Sequence, residues 1–191
     1  IHRSPPIYSG GVGVLAGDIL KAASDRGLAM IGIGLLYRRD YFQQRVDPAG
    51  LQHEYWVQTL PERLPTVQVL DDHGRPLRVT FPLFGREIAF HVWRVEVGRV
   101  PLYLLDTELD ENDPVDRWIT ARLYEGNPHT RLGQYGLLGV GSVRTLRALG
   151  IEPGVLHFNE GHPALAALEL AAEAVAGGEA LDDALGAARE R

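Results

Sequence analysis

Helix-like and strand-like segments alternate along the chain, and this predicts an α/β protein. Three observations carry the expectation. A glycine-rich stretch, "YSGGVGVLAGD" (8–18), leads into a run with apolar residues three and four apart, followed by a short apolar run. A middle section, 60–105, is dominated by β-branched and aromatic residues. From Pro114 onward the helical period returns.

Each element has its own local reason. In "VLAGDILKAASDRGL" the residues Leu15, Ile19, Leu20 and Ala23 form one apolar face, and Gly27 stands where a helix C-cap belongs. The glycines before it are expected to form a loop that feeds this helix. "AMIGIGLLY" (29–37) is apolar, short and bounded by glycine and then charge, as a buried strand of a parallel sheet is. "TVQVL", "LRVTF", "REIAFHVWRVEVG" and "VPLYLLD" read as sequential antiparallel strands, with "DDHG" a turn between them.

Helical periodicity then predicts a helix in "VDRWITARLY". A second is predicted in "TRLGQYGLLGVGSVRTLRALG", with Leu132, Tyr135, Leu138, Val143, Leu146 and Leu149 as its apolar stripe. Gly133, Gly136, Gly139 and Gly141 each cost that helix about 1 kcal/mol against alanine. Close approach of a neighbouring backbone would justify them, the alternative being a break near Gly139. "VLHFNEGHPALAALELAAEAVAGG" predicts a short strand, 155–158, a polar turn, and a helix from about Pro163. "ALDDALGAARER" is a further amphipathic helix.

At 191 residues the chain accommodates one domain, or one domain with part of another. Lys and Arg number 19 against 25 Asp and Glu, a formal charge of −6, which argues against a nucleic-acid footprint or an anionic-membrane anchor. No apolar run approaches the ~20 residues that span a bilayer. The absence of cysteine removes disulfides, thiolate metal sites and a cysteine nucleophile, and accords with a cytoplasmic location. The chain begins at Ile1, has Met30 as its only methionine and ends in "GAARER", so a piece of a longer protein is expected.

Two constellations could carry chemistry. Gly11-Val12-Gly13-Val14-Leu15-Ala16 matches G-x-G-x-x-G/A, the dinucleotide fingerprint, but "IHRSPPI" reads poorly as its leading strand and Asp40 follows a polar "RR". No Gly-Lys-Ser/Thr completes a phosphate loop. What survives is glycine backbone at a helix entrance, able to aim N–H groups at an anion or a sugar hydroxyl, with a tight turn as the structural alternative. The second is "HFNEGHP" (157–163) at a strand end. There Asn159, Glu160 and His162 could grip hydroxyls, or Asn159 and Glu160 could simply meet the free N–H groups of the following helix. "YRRDYFQQRVDPAGLQHEYW" (37–56) mixes rings with Arg38, Arg39, Gln43, Gln44 and Arg45, as a sugar-stacking surface, a solvated loop or a subunit contact would.

In this order, five segments resemble the N-terminal part of the α-glucan (glycogen, starch, maltodextrin) phosphorylase family, nearest the shorter bacterial type. They are "PIYSGGVGVLAGDILKAASDRGL", "GIGLLYRRDYFQQRVDPAGLQHE", "RVPLYLLDTELDENDP", "ITARLYEGNPHTRLGQ" and "LGVGSVRTLRALGIEPGVLHFNEGHPALAALEL". The resemblance implies that residues 1–191 are part of the Rossmann-like first half of a two-domain GT-B glycosyltransferase, with 60–105 an inserted, mainly antiparallel β section. It implies reversible phosphorolysis of α-1,4-glucans or maltooligosaccharides, with phosphate as the second substrate and glucose 1-phosphate released with retention. It places backbone of Gly10, Gly11, Val12 and Gly13 over the sugar and phosphate, and Asn159, Glu160 and His162 along the glucosyl pocket. It implies pyridoxal phosphate on a lysine of the second half. Lys21, the only lysine here, stands in no cofactor motif, so this chain alone is expected neither to bind the cofactor nor to turn over glucan.

Tyr135 and Gly136 depart from the pattern, which usually has an acidic and an aliphatic residue there. A nucleotide-sugar glycosyltransferase of the same architecture, or a stand-alone carbohydrate-binding or assembly module, is the alternative reading. A homo-oligomer is left open.

Overall fold

The structure is a computed structural model that describes residues 10–39, 42–123 and 126–190. Asp40 and "IHRSPPI" lie outside the described residues.

The first helix, α1 (Gly10–Arg26), starts earlier than expected: Gly10, Gly11, Gly13 and Gly17 lie inside it and do not form a loop ahead of it. Glycine's backbone freedom disfavours a helix by only about 1 kcal/mol per residue. The apolar face that Leu20 and Ala23 lay against the sheet offsets that cost. At the other end Gly27, at φ +66°, closes the helix as expected. Leu28 N–H donates to Ala23 and Gly27 N–H to Ser24, a Schellman arrangement.

The apolar run at 29–37 yields strand β1 (Gly32–Leu35), which pairs in parallel with β7 (Val100–Asp106). That is the one parallel pairing between strands among the described residues; an isolated parallel bridge also joins Arg39 to Arg122. β4 (Val67–Gln68), β5 (Arg78–Leu83) and β7 all pair antiparallel with the long strand β6 (Arg86–Val97). The fold is therefore a mixed α/β one, its main sheet mostly antiparallel in the order β1-β7-β6-β4, with β5 also on β6. A separate hairpin, β2 (Gln43–Val46) and β3 (Gln52–Tyr55), is exposed throughout.

Turn chemistry sets the antiparallel part. Phe84 and Gly85, with φ of 51° and 75°, join β5 to β6, the positive φ at both centres that a two-residue hairpin requires. In the "DDHG" turn, one Asp71 carboxylate oxygen accepts from the N–H groups of His73 and Arg75.

The period of two then sorts side chains onto two faces. Ile88, Phe90, Val92 and Leu105 pack with Phe81, Ile119 and Leu137 on one side. Trp93, Leu102 and Leu104 pack with Leu36 and Leu20 on the other. Burying both faces makes β7 almost wholly apolar, and α1 covers the second face.

Two expectations of regular structure end early. The "VDRWITARLY" helix shortens to α2 (Pro114–Arg117) and one 3₁₀ turn, 118–120. The carbonyls of Thr120 and Ala121 accept instead from the N–H groups of Arg38 and Arg39, so they cannot extend a helix. Residues 155–158 form no strand. Their exposure alternates as a strand's does, with Val155 and His157 out and Leu156 and Phe158 half-buried, but no described neighbour completes a ladder.

The glycine-rich helix stays continuous. α3 (Pro128–Gly136) passes through a π turn, 137–141, into α4 (Ser142–Ala148). Close packing explains its glycines. A Cβ on Gly133 would lie 2.8 Å from Ile119, and one on Gly139 would lie 2.7 Å from Leu165 Cβ and 2.9 Å from the Ala166 nitrogen. Leu137, at the start of the π turn, is fully buried, while Leu132, placed on the expected stripe, is exposed. α5 (Leu165–Ala176) and α6 (Leu181–Arg189) complete the chain close to where they were expected.

Candidate functional site

The backbone groups singled out by sequence fall at one helix end. α1 is described from Gly10, so Gly10, Gly11, Val12 and Gly13 form its first described turn. That turn carries no acidic side chain, and the helix dipole adds partial positive charge to it. A Cβ added at Gly11 would meet nothing within 4 Å, so the turn has open space beside it.

The polar loop ahead of α5 is arranged differently from a helix cap. α5 is preceded by a turn in which Ala164 N–H donates to Gly161 and Ala166 N–H to Pro163, and its N-cap residue is Ala164. Asn159 and Glu160 are therefore not its caps; both are exposed. Glu160 has φ +65°, a left-handed backbone seldom adopted outside glycine, asparagine and aspartate. In that conformation its carboxylate lies 3.4 Å from Nδ1 of His162. The His162 ring also stands edge-to-face with Tyr135 of α3, with centroids 4.9 Å apart and planes at 84°. Tyr135 Oη accepts from the Arg131 guanidinium at 3.0 Å.

Glu160 and His162 are thus brought together, and sequence reasoning missed their neighbours Tyr135 and Arg131. Tyr135 was legible as part of an apolar stripe, but nothing local said which residue its ring would meet. No hydrogen bond among the described residues joins the first turn of α1 to this loop. α1 packs on the Trp93 side of the sheet, whereas α3 and the π turn cover the Phe81 side.

The aromatic segment is filled by arginine. The Arg122 guanidinium lies 3.8 Å from the centre of the Trp56 ring, and that of Arg39 lies 4.6 Å from Trp118. Phe42 packs against Trp56 at 5.5 Å. Of the readings open for this segment, sugar stacking meets rings already engaged: Trp56 stacks on Arg122 and Tyr55 on Arg45. Beneath them Arg38 forms a two-pronged ion pair with Asp106 at 2.5 and 3.1 Å. Asp106 is 1% exposed and also accepts from Trp93 Nε1.

A hollow of about 270 Å³ between α5 and α6, lined by Arg147, Leu170, Glu173 and Ala184, holds none of the residues singled out by sequence. Among the described residues no His, Asp or Glu cluster has the makings of a metal site, and no helix is long and apolar enough to cross a membrane. Pyridoxal phosphate finds no holder here either. Lys21 stands half-exposed on α1, its ammonium 4.0 Å from the Asp18 carboxylate, so these residues do not fit that cofactor.

No protein-family model matches the chain. It is homologous over most of its length to curated phosphorylases. It is 48% identical over 166 residues to a maltodextrin phosphorylase of Thermococcus litoralis, covering 87% of this chain and 20% of that protein. It is 42% identical over 163 residues to a glycogen phosphorylase of Aquifex aeolicus, covering 85% and 24%. A glycogen phosphorylase of Mycobacterium tuberculosis is 42% identical over 176 residues, covering 89% and 20%. The chain spans about a fifth to a quarter of the length of these relatives.

Proposed function

We propose that this chain is part of an α-glucan phosphorylase and contributes one wall of its glucosyl-phosphate site. The observation that carries the reading is the 42–48% identity to phosphorylases across 85–89% of the chain. In this reading the described fold belongs to the first Rossmann-like half of a GT-B architecture. The substrates are an α-1,4-glucan and phosphate, and the working location is the cytoplasm.

The reaction transfers a glucosyl group. The bond from the anomeric carbon to the next sugar's O4 breaks, and a bond from that carbon to a phosphate oxygen forms with retention. The departing O4 takes up the proton the phosphate gives up. Positive charge grows on the sugar ring as the phosphate closes on it.

First-turn N–H groups of α1 at Gly10, Gly11, Val12 and Gly13 offer preorganised donors to the phosphate and the sugar. Losing one such donor costs ~3 kcal/mol in sites of this kind. Asn159 accepts from or donates to sugar hydroxyls, the Glu160 carboxylate accepts from them, and His162 presents Nε2, the ring nitrogen not turned to Glu160. Pyridoxal phosphate, which the family resemblance implies, supplies phosphate-based proton transfer when bound, and its holder lies outside the residues described.

The test is direct. The full-length protein that carries this chain, given maltoheptaose and inorganic phosphate, is expected to release glucose 1-phosphate. Glucose release without phosphate, or no release at all, overturns the reading.

A further inference from the structure

His162 has two neighbours that act on different degrees of freedom of its ring. Glu160 faces Nδ1 at 3.4 Å and so selects which nitrogen points toward it. Tyr135 meets the ring at 4.9 Å with planes at 84°, and so opposes rotation of the imidazole about its bond to Cβ. Nε2 has no protein partner among the described residues, and the side chain is 44% exposed.

The element that presents Tyr135 is firmly held. Asn127 caps α3 by accepting from His129 N–H at 2.9 Å, and Pro128 occupies its first turn. The buried side chain of Gln134, next to Tyr135, donates to the carbonyls of Ile119 and Arg122 at 3.0 and 2.7 Å. Gly133 and Gly136 press α3 against Ile119 and Phe81 so closely that a Cβ would lie 2.8 and 3.1 Å away. One helical turn before Tyr135, Arg131 donates to its hydroxyl and restrains the ring from its far end.

From this we infer that Tyr135 is a positioning residue: its ring holds the His162 imidazole in the plane that directs Nε2 at a hydroxyl of the bound glucosyl unit. The inference rests on the phosphorylase reading and adds a specificity element to it. Tyr135 touches no reacting atom; it acts through His162. Because the contact is made by the ring and not by the hydroxyl, phenylalanine should serve nearly as well. Leucine, similar in apolar character but without an aromatic edge, should not.

The experiment uses the full-length protein with Tyr135→Leu and Tyr135→Phe, measuring KM for maltoheptaose and for phosphate separately, together with NMR of ¹³C-labelled histidine ring carbons. Tyr135→Leu is expected to raise the glucan KM roughly three- to tenfold while the phosphate KM stays within about twofold of the parent. It is also expected to move the His162 ring resonances, assigned by their loss in His162→Asn. Tyr135→Phe is expected to restore both readouts.

Unchanged His162 resonances and glucan KM in Tyr135→Leu overturn the inference, as does a Tyr135→Phe variant as impaired as Tyr135→Leu. An equal rise in both KM values overturns it too, because a general structural fault does not single out the glucan. Should the parent release no glucose 1-phosphate, the phosphorylase reading fails, and the resonance shift alone decides whether Tyr135 orients His162.

Discussion

At the residue scale, the buried ion pair and one half-buried histidine make the clearest predictions. Asp106 is 1% exposed and balances the Arg38 guanidinium, whose side chain is 11% exposed. Asp106→Asn leaves a cation with little access to water, so it should cost about 3–5 kcal/mol in urea unfolding. A paired Arg38→Met/Asp106→Leu variant should lose clearly less, because no charge remains stranded; equal losses would show that packing, not charge, dominates the site. His91 on β6 is pushed below its ordinary value of 6.5, chiefly by burial, against the opposing pull of Asp106 and Glu111. The unfolded chain therefore binds more protons between the folded and unfolded values. Stability is complete above the unfolded value and declines as pH falls through that window. In melting curves from about pH 7 to about pH 5, His91→Gln should flatten this decline. A slope identical to the parent's would assign it to other groups.

At the element scale, two glycines of similar appearance in the sequence do opposite work. A methyl on Gly139 would meet Leu165 Cβ and the Ala166 nitrogen, both fixed at the start of α5. Gly139→Ala should destabilise by about 1–3 kcal/mol, the usual cost of overfilling a packed contact. A methyl on Gly11 meets nothing within 4 Å, so Gly11→Ala should stabilise α1 by roughly 0.4–1 kcal/mol. Under the proposed function the same methyl stands beside donors aimed at phosphate, so phosphorolysis by the full-length protein should slow as stability rises. Gain in stability with undiminished turnover would remove this turn from the site. The π turn between α3 and α4 belongs to the same scale: it holds Gly139 against Leu165 and Gly141 against Leu137 and Phe90.

At the scale of the whole molecule, one β-sheet serves two layers. α1 and Leu36 cover one face, and α3 with the π turn covers the other. The proposed sugar contacts of α1 thus lie on one side of that sheet, and α3, whose Tyr135 meets the 159–162 loop, lies on the other. The 191-residue chain on its own is expected to bind maltooligosaccharides weakly and to release no glucose 1-phosphate. Micromolar binding by calorimetry would favour a self-sufficient carbohydrate-binding module instead.

What sequence alone determined is what short-range chemistry encodes. The Gly27 cap, the Asp71 turn and the alternating β6 side chains follow from backbone preference and a period of two, which a few consecutive residues specify. The candidates Asn159, Glu160 and His162 came from a polar turn after an apolar run and from the family resemblance, and their role belongs to the proposed function. Tertiary structure decided what depends on two distant surfaces meeting. Only there do Gly10–Gly17 become helix, 155–158 remain unpaired, and Arg38 find Asp106, 68 positions away. Only there does Tyr135 meet His162. A helical glycine's cost of about 1 kcal/mol is small beside the burial of a face, and a strand cannot form without a partner edge. Local pattern proposes both, and packing settles them.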